Sequence, residues 1–144
     1  MDRFDAMRAF VQVVDSGSYT RAARQLDLHK ATVSQQIQQL ENRLGTRLLA
    51  RTTRSVTPTA EGLAYYRHAR TILEQVDEAE AMLRRAVAIE PSAYDLQFAL
   101  GDFLLRQGGP SAIDEVAAIA ARMSAIDPSR PEAGQLRAVL GGTR

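Results

Sequence analysis

The feature that most restricts the fold lies between residues 18 and 45, where two apolar-periodic segments are separated by only three or four residues. Ser18 stands where a capping hydroxyl is needed, and Ala22, Ala23 and Leu26 recur at helical spacing, which predicts a short helix from about Tyr19 to Leu26. Asp27 then falls in the turn, at a position that demands tolerance of left-handed backbone geometry. Val33, Ile37, Leu40 and Leu44 line one face of the next helix, with Ala31, Gln35, Gln38 and Asn42 roughly opposite and Gly45 as the stop. Ala23 is small where the two helices must approach, so the pair has the form of a helix-turn-helix.

The flanking segments complete a unit around this pair. Phe4, Met7, Phe10, Val11 and Val14 form a stripe at spacings of three and four, predicting a first helix that stops at Ser16-Gly17. After Gly45, Arg47–Ala50 and Ser55–Thr57 read as two short strands joined by the basic turn Arg51–Arg54, a small β-hairpin wing. From Pro58 or Thr59 a helical pattern runs without a breaker to Glu90-Pro91, capped by Thr57 or Thr59. Its apolar positions Tyr66, Ala69, Leu73, Val76, Leu83 and Val87 approximate a heptad interrupted by Glu80, the expected seam for self-association; packing onto its own domain is the other reading. Two further helices are expected over Tyr94–Gln107 and Ile113–Ile126, followed by a stretch over Pro131–Leu140.

Charge is divided along the chain in a way the net +1 conceals. Residues 1–57 carry nine Lys/Arg against five Asp/Glu, an excess of four, whereas residues 58–144 carry nine against twelve, a deficit of three. A basic front half suits a polyanionic partner, although solvated arginines on any helix give the same count. With no cysteine and only His29 and His68, neither a disulfide framework nor a metal site is expected, and no cofactor is implied. The N-terminus lacks the pattern of a secretory signal and no apolar run approaches membrane-spanning length, so a cytoplasmic location without membrane contact is expected. No phosphate loop, nucleophile elbow or zinc-protease signature is present, and the chain is not expected to be an enzyme.

In a helix-turn-helix the second helix enters the major groove of duplex DNA while the first crosses the backbone; the competing reading of these residues is an ordinary three-helix core. The wider string separates the two. Phe10-Val11-x-Val13-Val14, Ser18-Tyr19-Thr20-Arg21-Ala22-Ala23-x-x-Leu26, Ala31-Thr32-Val33-Ser34-Gln35-Gln36-Ile37-x-x-Leu40-Glu41-x-x-Leu44-Gly45-x-x-Leu48-Leu49-x-Arg51 and Thr59-x-x-Gly62 closely resemble the N-terminal domain of LysR-type transcriptional regulators, in order and spacing, over residues 1 to about 80. The departures are Asp27, where a glycine is usual, and His29, where a hydroxyl residue is usual. The resemblance implies base contacts from Ala31, Thr32, Ser34 and Gln35, with Gln38 at the edge. Gln35 is the best reader, since its amide offers a donor and an acceptor to an adenine edge; a solvated helix surface is the alternative. Ser18, Thr20, Lys30, Arg51 and Arg54 would serve phosphates or the minor groove, and Arg51 would equally well pin the wing to the core. The long helix, in this family, joins reading head to effector domain and mediates dimerisation.

Beyond residue 80 the pattern changes. Ala79-x3-Leu83-x2-Ala86-x4-Pro91, Leu100-Gly101, Gly108 and Val116-x3-Ala120-x2-Met123-x4-Pro128 resemble tetratricopeptide repeats (TPR), in which paired helices stack; an unrelated helical hairpin is the alternative. The expected fold is therefore mainly α: a winged helix-turn-helix over 1–57, a long linker and dimerisation helix over 58–90, and a TPR-like helical segment over 91–144. The expected function is that of a bacterial, homodimeric regulator binding double-stranded DNA at an inverted repeat, without the usual inducer-binding domain. A TPR-like adaptor with a protein partner at the C-terminal helices, or a dominant-negative fragment, is the alternative.

Overall fold

A computed structural model describes residues 3–51, 56–108 and 110–141. In chain order the elements are α1 (Arg3–Ser16), α2 (Tyr19–Gln25), α3 (Lys30–Leu44), β1 (Leu49–Arg51), β2 (Val56–Pro58), α4 (Ala60–Ile89), α5 (Tyr94–Gln107), α6 (Pro110–Ile126) and α7 (Glu132–Gly141). The strands form one antiparallel ladder in which Ala50 faces Thr57. Two compact units, Met1–Gln75 and Val76–Arg144, divide the chain within α4 rather than at residues 57 and 90. The reason lies in what each half of α4 buries: Tyr65, Ala69 and Leu73 pack with residues of α1, whereas Leu83 and Val87 join the cluster formed by α5, α6 and α7. Among the described residues no helix is long and apolar enough to cross a membrane.

The core of the first unit is made by the stripes the sequence predicts. Phe10, Val13, Ala22, Val33 and Ile37 are fully buried, and Phe10 meets Tyr65 edge-on with ring centroids 5.4 Å apart. Leu44 departs from expectation at 44 % exposure. It is angularly in line with Val33, but as the last residue of α3 it lies beyond the layer that α1 and α2 cover.

Local chemistry sets each boundary. Ser18 Oγ accepts from Arg21 N at 3.4 Å and caps α2. At the other end Asp27 takes φ 53°, donating its N–H to Arg24 O, while Leu28 N donates to Ala23 O at 2.9 Å, the paired bonds of a Schellman stop. His29 occupies the N-cap of α3 with no side-chain capping bond. A His29→Ser variant is therefore expected to stabilise the first unit by about 1 kcal/mol, the typical worth of a capping hydroxyl. Thermal melting measures it, and an unchanged or lower midpoint would contradict the reading. Of the two threonines expected to cap the long helix, Thr59 does so: its Oγ1 accepts from Gly62 N at 2.9 Å.

In the second unit Val116, Ile119, Ala120 and Met123 of α6 are fully buried against Leu100 and Leu104 of α5 and Leu136 of α7. Gly101 permits that approach, since a Cβ there would stand 2.8 Å from Leu136 Cδ1 and 3.3 Å from Ile119 Cγ2. Glu80, which interrupts the heptad, has a local use: with Glu115 it brackets Arg84, bonded at 2.8 Å and 2.9 Å respectively. The Arg84 guanidinium holds the Glu115 carboxyl below the usual carboxylate range.

Candidate nucleic-acid interface

The outer surface of α3 follows from its inner one. Val33, Ile37 and Leu40 face α1 and α2, so helical periodicity turns Ala31, Gln35, Gln38 and Asn42 to solvent along one line, and all four are exposed. Thr32 and Ser34 flank that line and are half-buried. The five residues expected to read bases thus occupy one continuous strip at the N-terminal two-thirds of the helix. Lys30 and Thr20 are exposed, while Ser18 is half-buried with its oxygen engaged in the α2 cap. The cap uses Ser18 only as an acceptor, so its hydroxyl hydrogen remains suited to a phosphate oxygen. Of Arg51 only the backbone, within β1, is described, and Arg54 lies outside the described residues.

The expected dimer seam is redistributed. Ala69 and Leu73, at 1 % and 8 % exposure, are packed with Met7 of α1 inside the first unit. Tyr66 is half-buried against the same unit; its hydroxyl donates to Asp15, which raises the phenol's pKa. Leu83 is partly buried against the C-terminal cluster, and Val76 is half-buried. The large apolar side chains that α4 leaves exposed are instead Leu63, Ile72, Met82 and Ile89. Ile72, Met82 and Ile89 recur at heptad spacing as the expected seam does, with Leu63 out of phase, so periodicity does not say which stripe meets its own core.

Three residues that hold this unit together are not among the expected site residues, although Thr59 is an expected cap of the long helix. Glu41 is 7 % exposed, and its Oε1 accepts from Leu48 N at 2.8 Å and Leu49 N at 3.1 Å, tying α3 to the first strand of the hairpin. Thr59 fastens the same segment from the other side, donating its N–H to Leu48 O at 2.9 Å and its hydroxyl to Arg47 O at 2.8 Å. Gly62 lets the first turn of α4 rest on Leu48, whose carbonyl oxygen would lie 1.9 Å from a Cβ there. A signal for Glu41 existed: the inward spacing 33, 37, 41 places an acid where apolar residues belong, which marks a buried acceptor with partners to find.

A short helix pair with a solvent-facing second helix, followed by a two-stranded hairpin fastened to that helix, defines a winged helix-turn-helix. Residues 4–63 match the family model described as the bacterial regulatory helix-turn-helix protein, lysR family. A helix-turn-helix transcriptional repressor of Pseudomonas aeruginosa (strain UCBPP-PA14) is 52% identical over 88 residues, 61% of this chain and 28% of that protein. The nitrogen assimilation regulatory protein nac of Escherichia coli (strain K12) is 46% identical over 77 residues, 54% of this chain and 25% of that protein. Among solved structures, the BenM DNA-binding domain complexed with catB site 1 DNA aligns with TM-score 0.57 and 40% identity, covering 60% of this chain and 94% of that one. The CbnR DNA-binding domain in complex with DNA aligns with TM-score 0.55 and 33% identity, covering 59% and 98%. The N-terminal unit is thus a LysR-family helix-turn-helix domain. The chain spans about a quarter of the length of the curated relatives it matches.

Proposed function

We propose that the protein is a sequence-specific double-stranded-DNA-binding transcription regulator whose α3 lies in the major groove. The observation that carries this reading is the neutral, amide-rich strip of Ala31, Gln35, Gln38 and Asn42, aligned and exposed on a helix whose opposite face is fixed in the core. Uncharged amides and small apolar groups read base edges, whereas a surface that only needed solvation would tend to carry charge. Thr32 and Ser34 assist from the flanks; Ser18, Thr20, Lys30, Arg51 and Arg54 serve the phosphates or the minor groove.

Affinity for duplex DNA is expected to fall linearly on a log–log plot against salt, with a slope of about −0.9 per phosphate neutralised. A flat response contradicts the proposal. Gln35→Ala is expected to cost about 1–3 kcal/mol at selected sites while leaving non-specific binding unchanged. Equal losses on every sequence would assign Gln35 to the backbone instead.

The protein acts as a homodimer on an inverted repeat, with α4 as the pairing element. Exposed Met82 and Ile89, at 53 % and 80 %, support pairing, together with half-buried Val76. Sedimentation equilibrium of the wild type and of Met82→Glu tests this, a monomeric wild type being the contrary result. The C-terminal unit is read as TPR-like, supported by Gly101, a small residue that lets α5 approach both α6 and α7, and as a surface for a protein partner.

A further inference from the structure

We propose that Glu41 is the positioning residue that sets the wing relative to the reading helix, and through it the wing's share of DNA binding. The inference rests on the DNA-binding reading above and adds a residue to it. Glu41 is not one of the exposed strip residues Ala31, Gln35 and Gln38; it lies on the buried side of α3, next to Ile37. Its carboxylate reaches the backbone seven and eight residues on, where Leu48 and Leu49 enter β1. One oxygen accepts both N–H groups, and the other faces Arg47 at 3.6 Å. The backbone carbonyl of the same residue closes α3, accepting from the N–H of Gly45, which takes φ 68°, and from Thr46 N at 3.3 Å. One residue therefore terminates the reading helix and fastens the strand that follows.

Beside the ladder to β2 and the burial of Leu48 and Leu49, these bonds set how the chain enters the strand. The connection from α3 to β1 is four residues long, beginning with a left-handed glycine. Leu48 and Leu49 are buried, so their N–H groups have no solvent to fall back on, and a charge-assisted acceptor fixes them more tightly than a neutral one. From the far side Thr59 grips the carbonyls of Arg47 and Leu48. The carbonyls are thus bound by the residue that caps α4 and the amides by α3; without Glu41 the buried amides of Leu48 and Leu49 lose their acceptor.

The test compares the full-length wild type, Glu41→Gln, Glu41→Asp and Glu41→Ala on one duplex selected from a random library and one of unrelated sequence, at a temperature where each variant is folded. Glu41→Gln keeps an oxygen at the same reach and is expected to bind within about threefold of wild type. Glu41→Asp keeps the charge but is a methylene short. It and Glu41→Ala are expected to lose at least tenfold in affinity on both duplexes and to lower the salt slope by about 1–2, as one or two phosphate contacts of the wing are lost. The ratio between the two duplexes, set by α3, should hold. A folded Glu41→Asp with the wild-type slope and affinity overturns the proposal. If Glu41→Ala does not fold, the Asp and Gln pair decides. A wild type that binds neither duplex defeats the DNA-binding reading, a result distinct from any difference among the variants.

Discussion

Gly62→Ala is expected to lower the melting temperature of the first unit by roughly 10–30 °C, more than any change on its surface. A Cβ at residue 62 would sit 1.9 Å from Leu48 O, 2.8 Å from Leu48 C and 3.2 Å from Leu48 Cα. These are backbone atoms, so no side-chain rotation relieves the overlap. The first turn of α4 would have to lift off β1, breaking the Thr59 N–H bond to Leu48 O and the Thr59 hydroxyl bond to Arg47 O. Overpacking costs about 1–3 kcal/mol and each broken bond about 1 kcal/mol, against a gain of about 1 kcal/mol from alanine's better helix propensity. The net loss of about 2–4 kcal/mol gives the quoted shift for a domain of this size at about 4–8 °C per kcal/mol. Thermal melting monitored by helical circular dichroism measures it. A midpoint at or above wild type would mean that α4 and β1 do not meet as described.

Phe10→Ala is expected to destabilise the same unit by about 3–5 kcal/mol, the usual cost of emptying a large aromatic site in a core. Phe10 is fully buried among Val13, Ala22, Val33 and Ile37, and its edge-on contact with Tyr65 is one of the contacts through which the long helix joins the three-helix core. The cavity would open between α1 and α4, so the loss should appear as a lower urea midpoint with an unchanged slope. Leu63→Ala, on a residue 41 % exposed, is the control and should cost well under half as much. Similar midpoints for the two variants would sink the description of this core.

The reading head was legible because its signals are local and redundant. The Ser18 cap, the turn at Asp27, the Gly45 stop and the period of Val33, Ile37 and Leu40 each constrain the same thirty residues, and each reappears as a hydrogen bond, a positive φ or a buried side chain. The strip of candidate base readers follows from that period alone, since fixing one face of a helix fixes the other. The α4 seam was not legible in the same way. A helix of thirty residues offers more than one apolar stripe, and the choice of Ala69 and Leu73 for the core over Ile72 depends on where Met7 stands. Leu44 fails for a related reason, being in phase with the core but past its edge.

Glu41, Thr59 and Gly62 mark the division most plainly. Sequence alone determined that residues 19–44 form two helices at a tight turn, because capping, turn geometry and hydrophobic period act within a few residues. It also determined that Ala31, Gln35, Gln38 and Asn42 of α3 face outward. Only the tertiary structure decided that Glu41 and Thr59 grip the same strand from opposite sides and that Gly62 rests on its carbonyl. Those contacts join segments whose separation along the chain carries no period, and their strength comes from burial, which exists only after the helices have packed.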